Sequence, residues 1–313
     1  MRDGLVSRRY NQRAIRLSAN SECEELGIWG EHRVTAEDAV TGRWVDPMGD
    51  IDRSPMSESL VTLIAQSCGN DAHVARAQEM LPLLSLQAGE SVLEVGCGTG
   101  VVARELVRLT SGSMQVSGVD PSALALERAA TETATADLGD WADRITYRQM
   151  AGQALTFRDN TFDAAMCSRV LIHAADPQDI VAEMVRVVRP GGRIICVEPA
   201  HQFWAGVDDV LRDKTSAFTN TDIGRELPGM LRRAGLDDVT VTPHVFIGQA
   251  LPDLDGIRAD VLAGRGMIAA AVRAGRCTMT DVEELCAQAE RALRRQTFLF
   301  CALHLAVIGY KAA

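Results

Sequence analysis

Three glycines follow a short apolar segment and stand directly before a helical one. Residues 92–95 (V-L-E-V) run into Gly96-Cys97-Gly98-Thr99-Gly100. Glycine lets the backbone turn sharply there and lets a ligand touch main-chain atoms without interference from a Cβ. Asp120 ends the next predicted strand, 20 residues after Gly100. A carboxylate at that spacing is placed to accept hydrogen bonds from two ribose hydroxyls, so the pattern predicts a nucleotide-type ligand.

The spacing of the glycines distinguishes between two kinds of nucleotide. A dinucleotide fingerprint requires G-x-G-x-x-G, and Val101 stands where its third glycine belongs. Glu94 adds a carboxylate at the loop, which would repel a pyrophosphate and would suit an ammonium or sulfonium group. The residues therefore favour a cationic ligand over NAD. A chance glycine turn in an α/β protein is a third interpretation, and Asp120 argues against it.

Alternating strands and helices are predicted to position these residues. Short segments between turns and helical stretches predict strands over residues 91–95, 115–119, 145–149, 162–168 and 193–198. Helical periodicity between them predicts helices over residues 101–109, 121–130 and 178–188. Such β-α-β alternation indicates an α/β fold with a parallel sheet and helices on both faces. Two further strands are predicted over 239–247 and 298–309, and a mostly helical stretch over 252–296 whose last helix begins at Asp281.

Composition and charge narrow the class of protein. The 313 residues are 47% hydrophobic and 24% charged, which is typical of a globular enzyme and excludes a collagen or a mostly disordered chain. The net charge of −10 argues against nucleic acid or an anionic membrane as a partner. The longest apolar stretch is too short to span a bilayer, and no secretion signal is visible, so a cytoplasmic location is expected. Scattered cysteines and histidines predict reduced thiols and no metal site.

Five segments, in this order, resemble motifs of class I S-adenosylmethionine-dependent methyltransferases. They are residues 92–100, Gly118-Val119-Asp120-Pro121-Ser122, Asn160-Thr161-Phe162-Asp163, Val170-Leu171-Ile172-His173 and Val187-Val188-Arg189-Pro190-Gly191-Gly192. The resemblance, which is greatest to small-molecule enzymes of bacterial secondary metabolism, implies a Rossmann-like seven-stranded, mostly parallel sheet whose last strand is antiparallel. It also implies S-adenosyl-L-methionine as cofactor and S-adenosyl-L-homocysteine as product.

The resemblance implies a cofactor site at the carboxyl edge of the sheet. Gly96 and Gly98 would face the methionine part of the cofactor, and Asp120 would hold the ribose. The family often has an acidic residue near adenine where this chain has Ala151, which leaves open whether activity is affected. The predicted cofactor contacts are Tyr10, Glu94, Gly96, Cys97, Gly98, Gly100, Asp120, Pro121, Ser122, Ala151, Gly152, Gln153, Ser168 and Arg169.

The predicted acceptor pocket is formed by Trp29, His173, His201 and Trp204. His173 and His201 follow the fourth and fifth strands, and either is a candidate base for removing the acceptor proton. The alternatives are a structural hydrogen bond for His173, an exposed loop position for His201 and plain packing for Trp204. Tyr10 and Trp29 are predicted as lid contacts or as ordinary packing residues. Cys97 is expected to pack rather than to act as a nucleophile, and Glu198 either caps a loop or contacts the substrate.

Residues 1–70 are predicted to form a helical or irregular extension that acts as a lid or arm. Residues 71–313 form the predicted methyltransferase domain, with a helical cap insertion over 250–296 before the last strand. Both additions are expected to close a pocket for a small organic acceptor, methylated on oxygen, nitrogen or carbon by in-line displacement. The alternative is an enzyme of the same fold that keeps the cofactor pocket and catalyses a cyclisation or rearrangement. An N-terminal arm is also compatible with a homo-oligomer.

Overall fold

The computed structural model describes residues 81–215, 222–248, 254–262, 266–273 and 275–313, together with residues 74, 77, 78 and 220. The predicted extension over residues 1–70, with Tyr10 and Trp29, lies outside the described residues. Seven strands form one sheet in the order β3-β2-β1-β4-β5-β7-β6. The strands are β1 (Ser91–Val95), β2 (Gln115–Asp120), β3 (Ile145–Gln149), β4 (Phe162–Ser168), β5 (Val188–Trp204), β6 (Leu236–Gly248) and β7 (Phe300–Lys311).

Strands β1 to β5 pair in parallel, and β7 runs antiparallel to both of its neighbours, β5 and β6. This is the mostly parallel sheet with an antiparallel last strand that the motifs imply, so the predicted fold class is confirmed for the described residues. The order places β1 and β4 at the centre, next to the point where the chain reverses direction across the sheet. Open α/β sheets bind ligands at the carboxyl ends of the strands at such a point.

Helices cover the sheet and extend beyond it. They are α1 (Val101–Leu109), α2 (Ala123–Thr135), α3 (Pro177–Val187), α4 (Asp209–Lys214), α5 (Ile223–Arg233), α6 (Leu254–Leu262), α7 (Gly266–Arg273) and α8 (Met279–Arg294). Helix α8 begins at Met279, two residues before the predicted start at Asp281. Thr278 and Asp281 form a capping box in which each side chain accepts a hydrogen bond from the other's backbone N–H, so Asp281 lies inside the first turn.

Two apolar clusters sandwich the sheet and decide which way β1 presents its side chains. Leu93 and Val95 belong to the cluster on the α3 and α5 side. Val92 belongs to the opposite cluster, with residues of α1. Because side chains alternate along a strand, Glu94 points to the same face as Val92, toward α1. A carboxylate is thereby placed inside the core, at the end of the strand that enters the glycine loop.

Strand β5 is much longer than predicted. Its pairing with β4 ends at Val197, opposite Ser168, but its pairing with β7 continues to Trp204, opposite Phe300. The antiparallel partner satisfies the backbone groups of β5 where no parallel neighbour does, so the strand does not end at residue 198. Pro199 interrupts the apolar pattern, and the register shifts between Pro199 and His201.

The cap helices (α6, α7 and α8) pack together with α4 around their own apolar cluster, which includes Leu211, Leu254, Ala271 and Leu285. Trp204, at the end of β5, packs against this cluster. The described residues thus place a helical layer over the extended ends of β5 and β7. No helix of the described ranges is long and apolar enough to cross a membrane.

Candidate active site

The glycine loop after β1 needs glycine for both conformation and space. Gly96, Gly98 and Gly100 have φ angles of 70°, 51° and 73°, a region that other residues rarely adopt. A Cβ on Gly96 would collide with the side chain of Val170, and one on Gly100 would collide with the hydroxyl of Tyr147. The loop is therefore pressed between the chain after β4 on one side and β3 on the other.

Backbone hydrogen bonds tie the glycine loop to the end of β2. The N–H groups of Gly96 and Cys97 both donate to the carbonyl of Val119, over 2.7 and 3.0 Å. The Asp120 carboxylate accepts the Gly98 N–H through Oδ2 at 2.8 Å and the Ser122 N–H through Oδ1 at 2.9 Å. Asp120 is therefore oriented by two backbone N–H groups, one in the glycine loop and one at the start of α2.

Glu94 is a buried acid behind the glycine loop, with 3% of its surface exposed. Burial, and then the charge of Asp120, raise its pKa to about 8, while Arg104 and the Ala103 N–H act in the opposite direction. The Arg104 guanidinium donates to the Thr99 carbonyl and to Glu132. Among the described residues, Glu94 Oε2 has no hydrogen-bond partner. The site thus holds an acid that a nearby cation would ionise and would provide with a partner.

Cys97 supports the loop from inside. Burial raises the pKa of its thiol well above the usual range, and the charges of Glu94 and Asp120 add to that effect. A Cβ on Gly118 would lie 2.9 Å from the Cys97 sulfur. The thiol is therefore protonated and tightly packed, as expected for a packing residue and not for a nucleophile.

The chain after β3 lies beside Asp120. The Met150 N–H donates to the Asp120 carbonyl at 3.1 Å, and a turn follows in which the Ala154 N–H donates to the Ala151 carbonyl at 3.0 Å. Ala151 and Gly152 are buried, whereas Gln153 is exposed. A Cβ on Gly152 would lie 2.9 Å from Val95 Cγ1, so glycine permits a close approach to β1. The main chain of this turn, and not a side-chain acid, borders the site.

Pro121 and Ser122 connect β2 to α2 at the same edge. The Pro121 carbonyl accepts a hydrogen bond from Gln149 Nε2 at 2.8 Å. Ser122 caps α2, because its hydroxyl accepts the Ala125 N–H at 3.0 Å. Both residues are thus engaged in fixing the ends of β2 and β3 relative to each other.

Ser168 ends β4, Arg169 follows it directly, and His173 ends the short 3₁₀ segment that comes next. Arg169 has a φ of 58°, and its N–H donates to the Val197 carbonyl of β5 at 2.9 Å. His173 is half-buried. Burial, and then the charge of Arg169, lower the pKa of His173 to about 4, so its imidazole is neutral at physiological pH. The chain after β4 therefore carries a cation and a neutral histidine on either side of Val170, the residue that stands against Gly96 of the glycine loop.

Glu198 lies under that turn and is fully buried. Its Oε1 accepts the N–H groups of Val170 and Leu171, both at 2.8 Å. Burial raises its pKa to about 7, opposed by these backbone donors and by Arg169. Of the two interpretations that the sequence leaves open for Glu198, the geometry is that of a loop cap.

Asn220 is a residue of this region that the sequence analysis missed. Its Nδ2 donates to the carbonyls of Leu171 and Ala174, both at 2.8 Å. It stands between α4 and α5, distant in sequence from the turn it contacts. A lone polar residue in a connecting segment belongs to no periodic pattern, so no sequence signal identifies it.

His201 and Trp204 lie farther along β5. The backbone of His201 pairs with Leu303 of β7. The ring of Trp204 meets the rings of Phe298 and Phe300 edge to face, with centroids 5.9 and 6.5 Å apart. The structure therefore brings the predicted residues from Glu94 to His173 to one edge of the sheet and leaves Trp204 in the aromatic contact below the cap helices. In the described ranges, no three His, Cys, Asp or Glu side chains are grouped as a metal site.

Part of the sequence that forms this site matches a known protein family. The family model described as a methyltransferase domain matches residues 93–196. Residues 93–196 carry a methyltransferase domain. The matched region of the domain runs from β1 into β5 and includes the glycine loop, Asp120 and His173. The resemblance to class I S-adenosylmethionine-dependent methyltransferases that the motifs indicate is thereby confirmed.

Curated relatives of the methyltransferase domain come from different bacteria. The chain is 28% identical over 171 residues to methyltransferase GfsG of Streptomyces halstedii, an alignment that covers 53% of this chain and 59% of the relative. It is 30% identical over 166 residues to the ubiquinone biosynthesis O-methyltransferase of Alkalilimnicola ehrlichii, covering 53% and 58%. The chain thus spans less than two thirds of the length of these relatives.

Solved structures share the fold of the methyltransferase domain. Phosphoethanolamine N-methyltransferase 2 of Haemonchus contortus, in complex with S-adenosyl-L-methionine, matches with a TM-score of 0.56 at 15% identity, over 86% of this chain and 60% of that one. The [4+2]-cyclase SpnF matches with a TM-score of 0.52 at 19% identity, over 84% and 97%. At these identities the likeness concerns the fold alone, and the fold is shared by a methyltransferase and a cyclase.

Proposed function

We propose that this chain transfers a methyl group from S-adenosylmethionine to an oxygen, nitrogen or carbon atom of a small organic acceptor. The observation that carries the proposal is the Asp120 carboxylate, which two backbone N–H groups orient beside the glycine loop. S-adenosylmethionine is the cofactor of the family, and when bound it supplies an electrophilic methyl group on a sulfonium. The residues of the chain then have to bind, align and exclude water.

Three features of the site fit this cofactor. The Asp120 carboxylate, which the Gly98 and Ser122 N–H groups orient at the end of β2, suits the two ribose hydroxyls. Glu94, whose Oε2 has no hydrogen-bond partner among the described residues, suits the ammonium group of the methionine part. The main chain of Ala151 and Gly152 lies next to the end of β2 and is available for the adenine edge. We therefore assign the cofactor to the carboxyl ends of β1, β2 and β3.

The acceptor side of the proposed site contains His173 and Arg169. A neutral imidazole accepts a proton, but a pKa of about 4 makes His173 a weak base. Alignment of donor and acceptor then supplies most of the rate enhancement, and the base assists only acceptors that lose a proton readily. His201 remains the second candidate base.

Several observations support a small acceptor. One relative is named for ubiquinone biosynthesis, which supports a small organic acceptor. The resemblance of the motifs to small-molecule enzymes of bacterial secondary metabolism supports a role there, such as antibiotic biosynthesis. The net charge of −10 disfavours nucleic acid and anionic membranes as partners and is compatible with a cytoplasmic enzyme. The cap helices provide an apolar layer near the carboxyl end of β5. We place the methyltransferase domain at residues 71–313, with residues 250–296 as the cap insertion and residues 1–70 as a lid or arm.

Two measurements test the proposed function. Isothermal titration with S-adenosylmethionine and S-adenosylhomocysteine tests the cofactor site, and the absence of affinity for both would overturn the proposal. Incubation with a panel of small phenols, amines and alcohols, and with S-adenosylmethionine carrying a deuterated methyl group, then tests transfer by product mass. A product that gains the labelled methyl supports methyl transfer. A product of unchanged mass would instead support cyclisation or rearrangement.

A further inference from the structure

We propose that Glu198 and Asn220 act as a positioning pair that holds the turn after β4, residues 170–174, in the geometry needed for the acceptor. The inference rests on the proposed function, because the turn carries His173 beside the proposed cofactor site. Asn220 is not a predicted contact of cofactor or acceptor, and Glu198 has the geometry of a loop cap. The pair would set where the acceptor-side groups stand relative to the glycine loop.

The turn makes few hydrogen bonds within itself. Its short 3₁₀ segment, Leu171–His173, is a single turn. Two internal hydrogen bonds are present, from the His173 N–H to the Val170 carbonyl at 3.0 Å and from the Ala174 N–H to the Leu171 carbonyl at 3.2 Å. Such short segments have poor hydrogen-bond geometry and do not persist alone. Their conformation has to be fixed by groups from elsewhere.

Glu198 engages the N–H side of the turn. One oxygen, Oε1, accepts both the Val170 and the Leu171 N–H groups at 2.8 Å. The complete burial of Glu198 shields these two hydrogen bonds from competing water. Glu198 Oε2 has no hydrogen-bond partner among the described residues. Both hydrogen bonds from the turn are therefore accepted by Oε1.

Asn220 engages the carbonyl side of the turn. Its Nδ2 binds the carbonyls of Leu171 and Ala174, and its own backbone N–H donates to the Ile172 carbonyl at 3.0 Å. The Asn220 carbonyl in turn accepts the Ile223 N–H at the start of α5, at 3.2 Å. Donors and acceptors of the turn are thus bound from opposite sides by two side chains.

The two members of the pair are fixed relative to each other. Helix α5 packs on β5 so closely that a Cβ on Gly224 would lie 2.6 Å from the Pro199 carbonyl oxygen, one residue beyond Glu198. The glycine loop touches the turn at Val170, but its hydrogen bonds come from β2, through the Val119 carbonyl and Asp120. Loosening the turn should therefore disturb the acceptor side and leave the cofactor loop in place.

Hydrogen exchange followed by mass spectrometry, together with titration of S-adenosylhomocysteine, tests the pair in the full chain. In Asn220→Ala, the amides of Val170 and Leu171 should exchange about tenfold faster although Asn220 does not touch them, because two side-chain hydrogen bonds of the turn are lost. Exchange in residues 96–100 and affinity for S-adenosylhomocysteine should change less than about threefold. Methyl transfer to an acceptor found in the panel should show a lower kcat, with the cofactor KM retained.

Matched variants separate positioning from general destabilisation. Gln178→Ala removes another side-chain amide bound to a backbone carbonyl, that of Met230, and should leave exchange at the turn unchanged. Glu198→Gln keeps one acceptor oxygen for the turn, so kcat should be retained better than in Glu198→Ala. If Glu198→Ala does not fold, Asn220→Ala and Glu198→Gln carry the test.

The outcomes distinguish failure of the pair from failure of the proposed function. Unchanged exchange at Val170 and Leu171 in Asn220→Ala would overturn the pair. A loss of cofactor affinity in Asn220→Ala as large as its loss of kcat would also contradict the proposed role of the pair. Faster exchange at the turn together with an unchanged kcat would contradict it as well. A wild-type chain that neither binds S-adenosylhomocysteine nor methylates any acceptor would instead overturn the proposed function, while hydrogen exchange would still report on the turn.

Discussion

Gly98 donates its backbone N–H to the carboxylate of Asp120 over 2.8 Å, so the glycine loop of β1 and the acid that ends β2 form one hydrogen-bonded unit. The same carboxylate receives the Ser122 N–H at the start of α2. The acid that we assign to the ribose therefore also shapes the loop that we assign to the methionine part. Substitution of Asp120 should affect both.

Asp120→Ala should weaken binding of S-adenosylhomocysteine by about a hundredfold or more, because the ribose contacts and two backbone partners are lost together. Asp120→Asn should lose less affinity for S-adenosylhomocysteine than Asp120→Ala, because its amide oxygen still accepts one of the two N–H groups. Isothermal titration measures both, with the exposed Asp140→Ala as control. Equal affinity of Asp120→Ala and wild type would remove the ribose assignment.

Glu94→Gln should be relatively more stable than wild type as the pH rises. The pKa of Glu94 is about 8 in the folded protein, against an ordinary value of 4.5. The folded state then binds more protons than the unfolded state between these values, so the free energy of unfolding of the wild type falls with rising pH, by about 1 kcal/mol per pH unit. Urea denaturation at pH 5, 6, 7 and 8 gives the difference between the two proteins. A difference that does not vary with pH would show that Glu94 is ionised throughout.

Cofactor binding should release a proton at pH 7 if the ammonium group lies beside Glu94, because a cation lowers the pKa of that acid. Isothermal titration in two buffers of different ionisation enthalpy measures the release, and affinity should rise with pH up to about 8. Glu94→Gln should abolish the release. Proton release of the same size in this variant would place the titrating group elsewhere.

Gly96→Ala should destabilise the loop, because its φ of 70° is unfavourable for alanine and its Cβ meets Val170. We expect a loss of stability of about 1–3 kcal/mol, together with weaker cofactor binding. Adding Val170→Ala removes the collision and should restore part of the affinity, leaving the cost of the backbone conformation. A double-mutant cycle of unfolding and titration measures this coupling, and strictly additive effects would contradict the contact.

The pH dependence of kcat should identify the base. A base acts only in its deprotonated form, so activity is lost as the pH falls below its pKa. His173 as base predicts that kcat persists down to about pH 4, in accordance with its lowered pKa. If His201 is the base instead, kcat should fall in His201→Ala and be retained in His173→Ala. Cofactor affinity of each variant serves as the control for intact binding.

The sequence predicts the centre of the sheet well for a physical reason. Strands β1, β3 and β4 begin and end where predicted. For β1 and β4 the reason is that each is a short, largely apolar run bounded by glycine or polar residues. The ends of β5 could not be predicted, since residues 199–204 remain extended only through pairing with β7, a strand about 100 positions later. The glycine loop and Asp120 were predictable because the conformation and the ligand demand specific residue types at a fixed spacing.

The contacts around the turn after β4, in contrast, could not be predicted from the sequence. Val170 and Glu198 are 28 positions apart, and Leu171 and Asn220 are 49 apart. An isolated acid or amide can cap, contact a ligand or lie in solvent, and the local sequence does not distinguish between these. Their partners are chosen by the packing of β5 and α5, which only the tertiary structure specifies.

The length of β5 joins two regions that are far apart. Six residues, about 20 Å of extended chain, lead from Glu198 below the turn to Trp204 under the cap helices. The same strand thus supports the turn after β4 at one end and the cap helices at the other. The register shift between Pro199 and His201 interrupts the regular pairing with β7, so β5 should bend most easily between these two regions.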